Sequence, residues 1–60
     1  MSIRQHFEDP TKFVVDVDYM TWQYVSKWLR DNNIRWHACG DKTIQFDNAQ
    51  VSTLFALKWL

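Results

Sequence analysis

His37 and Cys39 are the two side chains of this sequence whose types and spacing come closest to reactive chemistry. Residues i and i+2 of a β-strand share a face, so a strand here would place an imidazole beside a thiol. Such a pair could begin a zinc site or a Cys–His nucleophile pair. A zinc ion needs three or four ligands, and the nearest further candidates are Asp41 and Asp47. We therefore expect neither a bound metal nor catalysis at this pair.

Asp16 and Asp18 form the second arrangement with a chemical interpretation, because two acids at the end of a strand can hold Mg²⁺. A structural interpretation is favoured: Asp18 has the position of a helix N-cap, and Asp16 is the polar member of an alternating strand. The sequence contains no glycine-rich phosphate loop, HExxH pattern or nucleophile elbow. These observations predict a protein that is not an enzyme and binds no cofactor or metal.

The hydrophobic pattern predicts the elements that would position these side chains. Alternation predicts strands over residues 11–17, 34–39 and 43–47, and a period of 3.6 predicts helices over residues 19–32 and 49–60. Asn33 is expected to end the first helix in the left-handed conformation. Residues 11–60 then make a single compact α+β domain. Residues 1–10 are expected to be an N-terminal arm or a short helix, because Ser2 and Gln5 have capping-box spacing.

The second and third predicted strands should form a hairpin whose register follows from its apolar residues. A two-residue turn would place Trp36 opposite Gln45 and mix the two faces, so we predict a three-residue turn at positions 40–42. This register pairs Trp36 with Phe46, Ala38 with Ile44, His37 with Gln45 and Arg35 with Asp47.

The predicted element order is β-α-β-β-α. A right-handed crossover leaves room for the third strand between the first two, which predicts a three-stranded antiparallel sheet of order 1-3-2 with both helices on one face. This topology resembles a ferredoxin-like unit truncated by its last strand. The resemblance is one of element order and implies nothing about function.

Size and composition limit how such a domain is stabilised. Sixty residues bury a small core, and one cysteine cannot form an internal disulfide. Four Trp, four Phe and two Tyr instead predict dense aromatic packing. The first ten residues contain no apolar run, so we expect no signal peptide and no membrane span. A free thiol without an export signal predicts a cytoplasmic protein.

The aromatic residues also supply the leading functional hypothesis. A domain this small cannot easily bury ten rings, and clustered exposed rings usually mark a partner site. The candidate anchors, at the margin of the first predicted helix and the end of the second, are Trp22, Tyr24, Trp59 and Leu60. The alternative is that every ring belongs to the core or its edge.

These considerations favour a non-enzymatic module that binds another protein or a second copy of itself. In size, neutral charge and tryptophan content the chain resembles the small proteins with which phages and plasmids bind and disable host factors. That resemblance implies an inhibitor, antagonist or adaptor. The second hypothesis is a single-stranded nucleic-acid-binding protein that uses Arg35, His37 and Lys42 on the helix-free sheet face. Equal numbers of acidic and basic residues and the absence of stacking aromatics on that face disfavour it.

Overall fold

The computed structural model describes residues 2–60, which form an α+β fold. Its elements are β1 (Ser2–Gln5), β2 (Lys12–Asp16), α1 (Tyr19–Asp31), β3 (Trp36–Ala38), β4 (Thr43–Phe46) and α2 (Ala49–Trp59). The four strands make one antiparallel sheet in the order β1-β2-β4-β3, so β1 and β3 are its edges.

The predicted three-stranded sheet of order 1-3-2 is therefore wrong, and with it the likeness to a truncated ferredoxin-like unit. The error lies in residues 2–5, which were expected in a helix or an arm and instead form an edge strand on β2. Ile3 pairs with Val15, and the amide of His6 donates to the carbonyl of Lys12 at 2.8 Å. In β1 only Ile3 packs against the core, so the short segment has almost no hydrophobic alternation of its own. Pairing with β2 overrides its local capping-box spacing.

The predicted hairpin register is confirmed between β3 and β4. Trp36 lies opposite Phe46, His37 opposite Gln45 and Ala38 opposite Ile44. Gly40 and Lys42 of the connecting loop both have positive φ angles, 130° and 56°. The ladder ends at Trp36 and Phe46, so the predicted pairing of Arg35 with Asp47 lies beyond it; the Asp47 side chain bonds to His37, with 2.8 Å between Oδ1 and Nε2.

Side chains at the ends of the helices explain where α1 and α2 begin and stop. Asp18 caps α1 by accepting from the Thr21 amide at 2.9 Å, as expected, and Asn48 caps α2 by accepting from the Val51 amide at 2.8 Å. Asn33 takes the left-handed conformation with φ 55°, and the next amide, that of Ile34, donates back to the Leu29 carbonyl. These interactions satisfy backbone groups that the helix ends leave without partners.

The core lies between one face of the sheet and both helices. Its buried apolar side chains are Phe13, Val15, Val25, Leu29, Ile44, Phe46 and Phe55. Phe55 of α2 packs edge-on against Phe13, with ring centroids 4.7 Å apart. All four tryptophans are half-buried at the margin of this cluster and pack against it.

The pairing of β1 can be tested with proline, which removes one backbone donor. Because His6 bonds to Lys12, antiparallel alternation directs the Arg4 amide toward β2 and the Gln5 amide toward the free edge. We expect Arg4→Pro to lower the free energy of unfolding by about 1–2 kcal/mol, because it leaves a carbonyl of β2 without its donor. Urea unfolding followed by circular dichroism measures the change.

Gln5→Pro is the matched control, since it removes a donor at the free edge together with an exposed side-chain bond to Pro10. A clearly smaller loss is expected for this variant. Equal losses for the two prolines would mean that β1 does not form the observed ladder in solution.

Candidate functional site

An apolar cleft lies between α1 and the β3–β4 hairpin. Its volume is about 260 Å³. The indoles of Trp22 and Trp36 meet there edge to face, with ring centroids 5.4 Å apart and planes at 90°. We call this feature the Trp22–Trp36 cleft; it is lined by Val15, Val17, Trp22, Trp36, Ala38, Gly40, Lys42, Thr43 and Ile44.

Local sequence explains why the cleft stays open. The Asp18 cap fixes the start of α1, so Trp22 lies on the first turns of the helix, beside the hairpin. The hairpin register places Trp36 and Ala38 on the core side of β3. Ala38 has a small side chain and Gly40 has none, so neither fills the space beside Trp36. The cleft is therefore a part of the core margin that the chain leaves unfilled.

Two wider depressions, of about 690 and 440 Å³, adjoin the cleft, and each shares one of its tryptophans. One, along the start of β3, is lined by Ser26, Arg30, Asn33, Ile34, Arg35 and Trp36. The other, along α1, is lined by Tyr19, Trp22, Gln23, Ser26, Lys27 and Arg30. No carboxylate lines the cleft or either depression. Three cations thus lie along one side of the Trp22–Trp36 cleft; we call Lys27, Arg30 and Arg35 the basic strip.

The basic strip is not neutralised by the described part of the chain. Within residues 2–60, an ion pair joins Lys42 to Asp16 at 3.0 Å, and a hydrogen bond of 2.8 Å joins His37 to Asp47. The hydrogen bond from Lys42 lowers the pKa of Asp16 below its ordinary value, and the same bond raises the pKa of Lys42. Lys42 lines the far end of the cleft, but its ammonium group is already bonded to a carboxylate.

The three residues of the nucleic-acid hypothesis do not form one basic surface. His37 and Lys42 are each bonded to an aspartate, and Arg35 lines the depression beside Trp36. The sheet face opposite the helices also carries Gln45, whose side-chain amide donates to Asp9 at 3.3 Å. On this face His37 and Gln45 are thus bonded to aspartates, as is Lys42 of the adjoining loop.

The four candidate anchors for a protein partner fall into separate places. Trp22 lines the cleft. Tyr24 is 65% exposed but does not line it, because residues two apart on a helix differ by about 200° around the axis. Trp59 is half-buried against Trp28, with ring centroids 6.3 Å apart, and its indole N–H is buried without an acceptor among residues 2–60. Leu60 is exposed beyond the end of α2. Of the four, Trp22 alone lines the cleft.

Sequence reasoning missed the partners that make Trp22 a site. The predicted register matches Trp36 with Phe46 on the apolar face of the hairpin, and the candidate site residues include neither Trp36 nor Lys27 nor Arg30. The signal that could have found them is a pair of cations on the first helix, Lys27 and Arg30, followed by Trp36 on a strand at the edge of the sheet. The predicted order already places residues 34–39 at a sheet edge, as the structure does, but it does not provide the distance between α1 and that edge.

Three of the residues with candidate metal or nucleophile chemistry are held in structural interactions, whereas Cys39 has a free, half-buried thiol. His37 bonds to Asp47, and Asp18 caps α1 with a pKa lowered by donation from the side chain and backbone of Thr21. Asp16 bonds to Lys42. In the part of the chain that the structure describes, no three side chains of the His, Cys, Asp or Glu types come together as a metal site would require.

Neither described helix has the length and apolar character needed to cross a membrane. Comparisons of the chain with protein-family models, with curated proteins and with solved structures found no match.

Proposed function

We propose that this chain is a small non-enzymatic protein-binding module that acts as an inhibitor, antagonist or adaptor, and that the Trp22–Trp36 cleft is where it binds its partner. The observation that carries the proposal is an open apolar cleft lined by two tryptophans in a domain with a very small core. Apolar surface of this kind is costly to leave in water, and a partner that covers it gains binding energy.

The cleft adjoins wider depressions of about 690 and 440 Å³, so it is part of a broad open surface and not an enclosed pocket, which supports a protein partner over a free small molecule. The cleft itself holds about 260 Å³. It is suited to one large apolar side chain of another protein, with Tyr19 and Trp22 forming part of the surrounding contact. Tryptophan and tyrosine are common hot-spot residues because they remove much surface from water at little entropic cost.

A binding role also fits the thermodynamics of so small a domain. A partner that binds only the folded state raises the stability of that state by mass action. This gain matters for a domain whose core has seven buried apolar side chains. The free thiol of Cys39 suits a reducing compartment, so we place this binding in the cytoplasm.

Capture of partners from a lysate of the source or its host tests the proposal. Ala38 lines the cleft and is exposed at the sheet edge, so Ala38→Glu places a charge in the cleft without disturbing a buried side chain. We expect a defined protein to be retained by the natural chain, with or without nuclease, and to be lost with Ala38→Glu. Mass spectrometry identifies the retained species.

Leu57→Ala is the control, because Leu57 is 80% exposed on α2 and does not line the cleft. Retention should be unchanged by this variant. Retention that disappears with nuclease would assign the function to nucleic-acid binding. A retained protein that is indifferent to Ala38→Glu would refute the cleft as the binding site.

A further inference from the structure

We infer that the partner presents an extended acidic segment, which pairs with the free edge of β3 and inserts one bulky apolar side chain into the Trp22–Trp36 cleft. The inference rests on the proposed function and specifies the chemistry of the partner. Three features meet at this edge: unpaired backbone groups, the apolar cleft and the basic strip.

The backbone of β3 is oriented to accept another strand. The Cys39 amide donates to the Thr43 carbonyl at 2.9 Å, so Cys39 and Thr43 are a hydrogen-bonded pair. Antiparallel pairs alternate, which makes Ala38 and then Trp36 members of non-hydrogen-bonded pairs with β4. The direction of the Phe46 amide is consistent with this alternation, because it donates away from β3 to the Thr11 carbonyl. The N–H and C=O groups of Trp36 and Ala38 therefore face the free edge.

The same two residues line the cleft with their side chains. In a sheet, directly opposed residues of neighbouring strands place their side chains on the same face. A segment paired with β3 would thus place the side chain opposite Trp36 or Ala38 on the helix side of the sheet, beside the cleft. Strand addition supplies backbone bonds, and pockets for alternate side chains supply specificity.

The positive charge of the basic strip favours extended segments that carry acidic residues. The basic strip carries three cations without ion-pair partners in residues 2–60, and no carboxylate lines the cleft or the two depressions that adjoin it. Arg35 also lines a further depression with Asp47, whose carboxylate is bonded to His37. A segment with acidic residues around its apolar anchor would complement this charge and associate faster at low salt. The other edge strand, β1, lacks this combination. It carries one cation, Arg4, and its apolar side chain, Ile3, packs inward on the core.

The probe is a set of short synthetic peptides with a central Trp, Phe or Leu flanked by alternating Thr and Glu. Matched peptides carry Lys in place of every Glu, and an oligothymidylate of similar length serves as the nucleic-acid probe. We expect the acidic peptides to bind the full chain and the basic ones not to. Arg30→Gln with Arg35→Gln should weaken acidic-peptide binding by roughly tenfold at low salt, whereas Arg4→Gln leaves it unchanged.

Amide hydrogen exchange gives a readout specific to strand addition. Bound acidic peptide should protect the amides of Trp36 and Ala38, while the His37 amide, which already faces β4, should change little. Peptide binding without this difference would overturn the pairing with β3.

Failure of this inference can be distinguished from failure of the proposed function. If no acidic peptide binds but the protein captured from lysate is lost with Ala38→Glu, the cleft binds proteins and the acidic-strand class is wrong. Tighter binding of oligothymidylate than of acidic peptide would overturn the inference in favour of nucleic acid. Self-association that Ala38→Glu abolishes but Arg30→Gln with Arg35→Gln does not would also overturn it, because a second copy would then occupy the cleft without using the basic strip.

Discussion

Phe55→Ala is expected to remove most of the domain's free energy of unfolding. Phe55 is completely buried, and its ring contacts Phe13, Phe46 and Trp28. Truncation of a buried phenylalanine costs about 3–5 kcal/mol, the sum of lost burial and the cavity left behind. A 60-residue domain has a total stability of about 3–9 kcal/mol by the usual range per residue. Urea unfolding followed by far-ultraviolet circular dichroism measures the loss.

Two further variants keep this prediction quantitative. Phe55→Leu retains most of the volume and should lose about 1–2 kcal/mol, which leaves a measurable transition. Leu57→Ala lies on the same helix but removes an 80% exposed side chain, so its change should stay within about 0.5 kcal/mol. If Phe55→Ala cost less than about 1 kcal/mol, the sheet and α2 would not share the core described above.

Trp22→Ala is expected to weaken binding to a captured partner by about 2 kcal/mol, or roughly thirtyfold in Kd. The variant removes one wall of the cleft and the edge-to-face contact with Trp36. Trp22 is only half-buried, so the expected cost to folding is smaller, about 1–2 kcal/mol. Isothermal titration calorimetry measures the affinity, and circular dichroism establishes that the variant remains folded.

Tyr24→Ala separates the cleft from the rest of α1. Tyr24 is exposed on the same helix but lies outside the cleft, so its removal should leave the affinity unchanged. An equal loss for Tyr24→Ala and Trp22→Ala would place the contact on the outer side of α1 instead. If Trp22→Ala unfolds the domain, Trp22 is a core residue and not a binding anchor.

The parts of the fold that the sequence predicted are those set by local chemistry. Asp18 caps α1 because its side chain reaches an amide three residues on, and Asn33 ends the helix because it tolerates a positive φ. The register of the β3–β4 hairpin follows from matching Trp36 to Phe46 within one short loop. Each of these interactions involves residues close in sequence or a strong apolar alternation.

The parts that escaped prediction depend on contacts distant in sequence. β1 has one inward apolar side chain, Ile3, so its strand character comes from the partner strand β2 and not from its own pattern. The cleft depends on how far α1 stands from the β3 edge and on the missing bulk at Ala38, neither of which periodicity encodes. The sequence pattern therefore identified Trp22 as a candidate binding residue. It did not identify the cleft around Trp22 or the positive charge of the basic strip beside it.

The strand order has a consequence for how the chain must assemble. β1 with β2 and β3 with β4 are hairpins joined by short connections, so each can form with little loss of chain freedom. The β2–β4 pairing is different: it places Lys12 opposite Gln45 and closes a loop that contains all of α1. The β2–β4 pairing also places Phe13 opposite Ile44, and these two residues join both hairpins to one core. Most of the loop-closure entropy of the fold, and hence the topological limit on its folding rate, falls on this one long-range pairing.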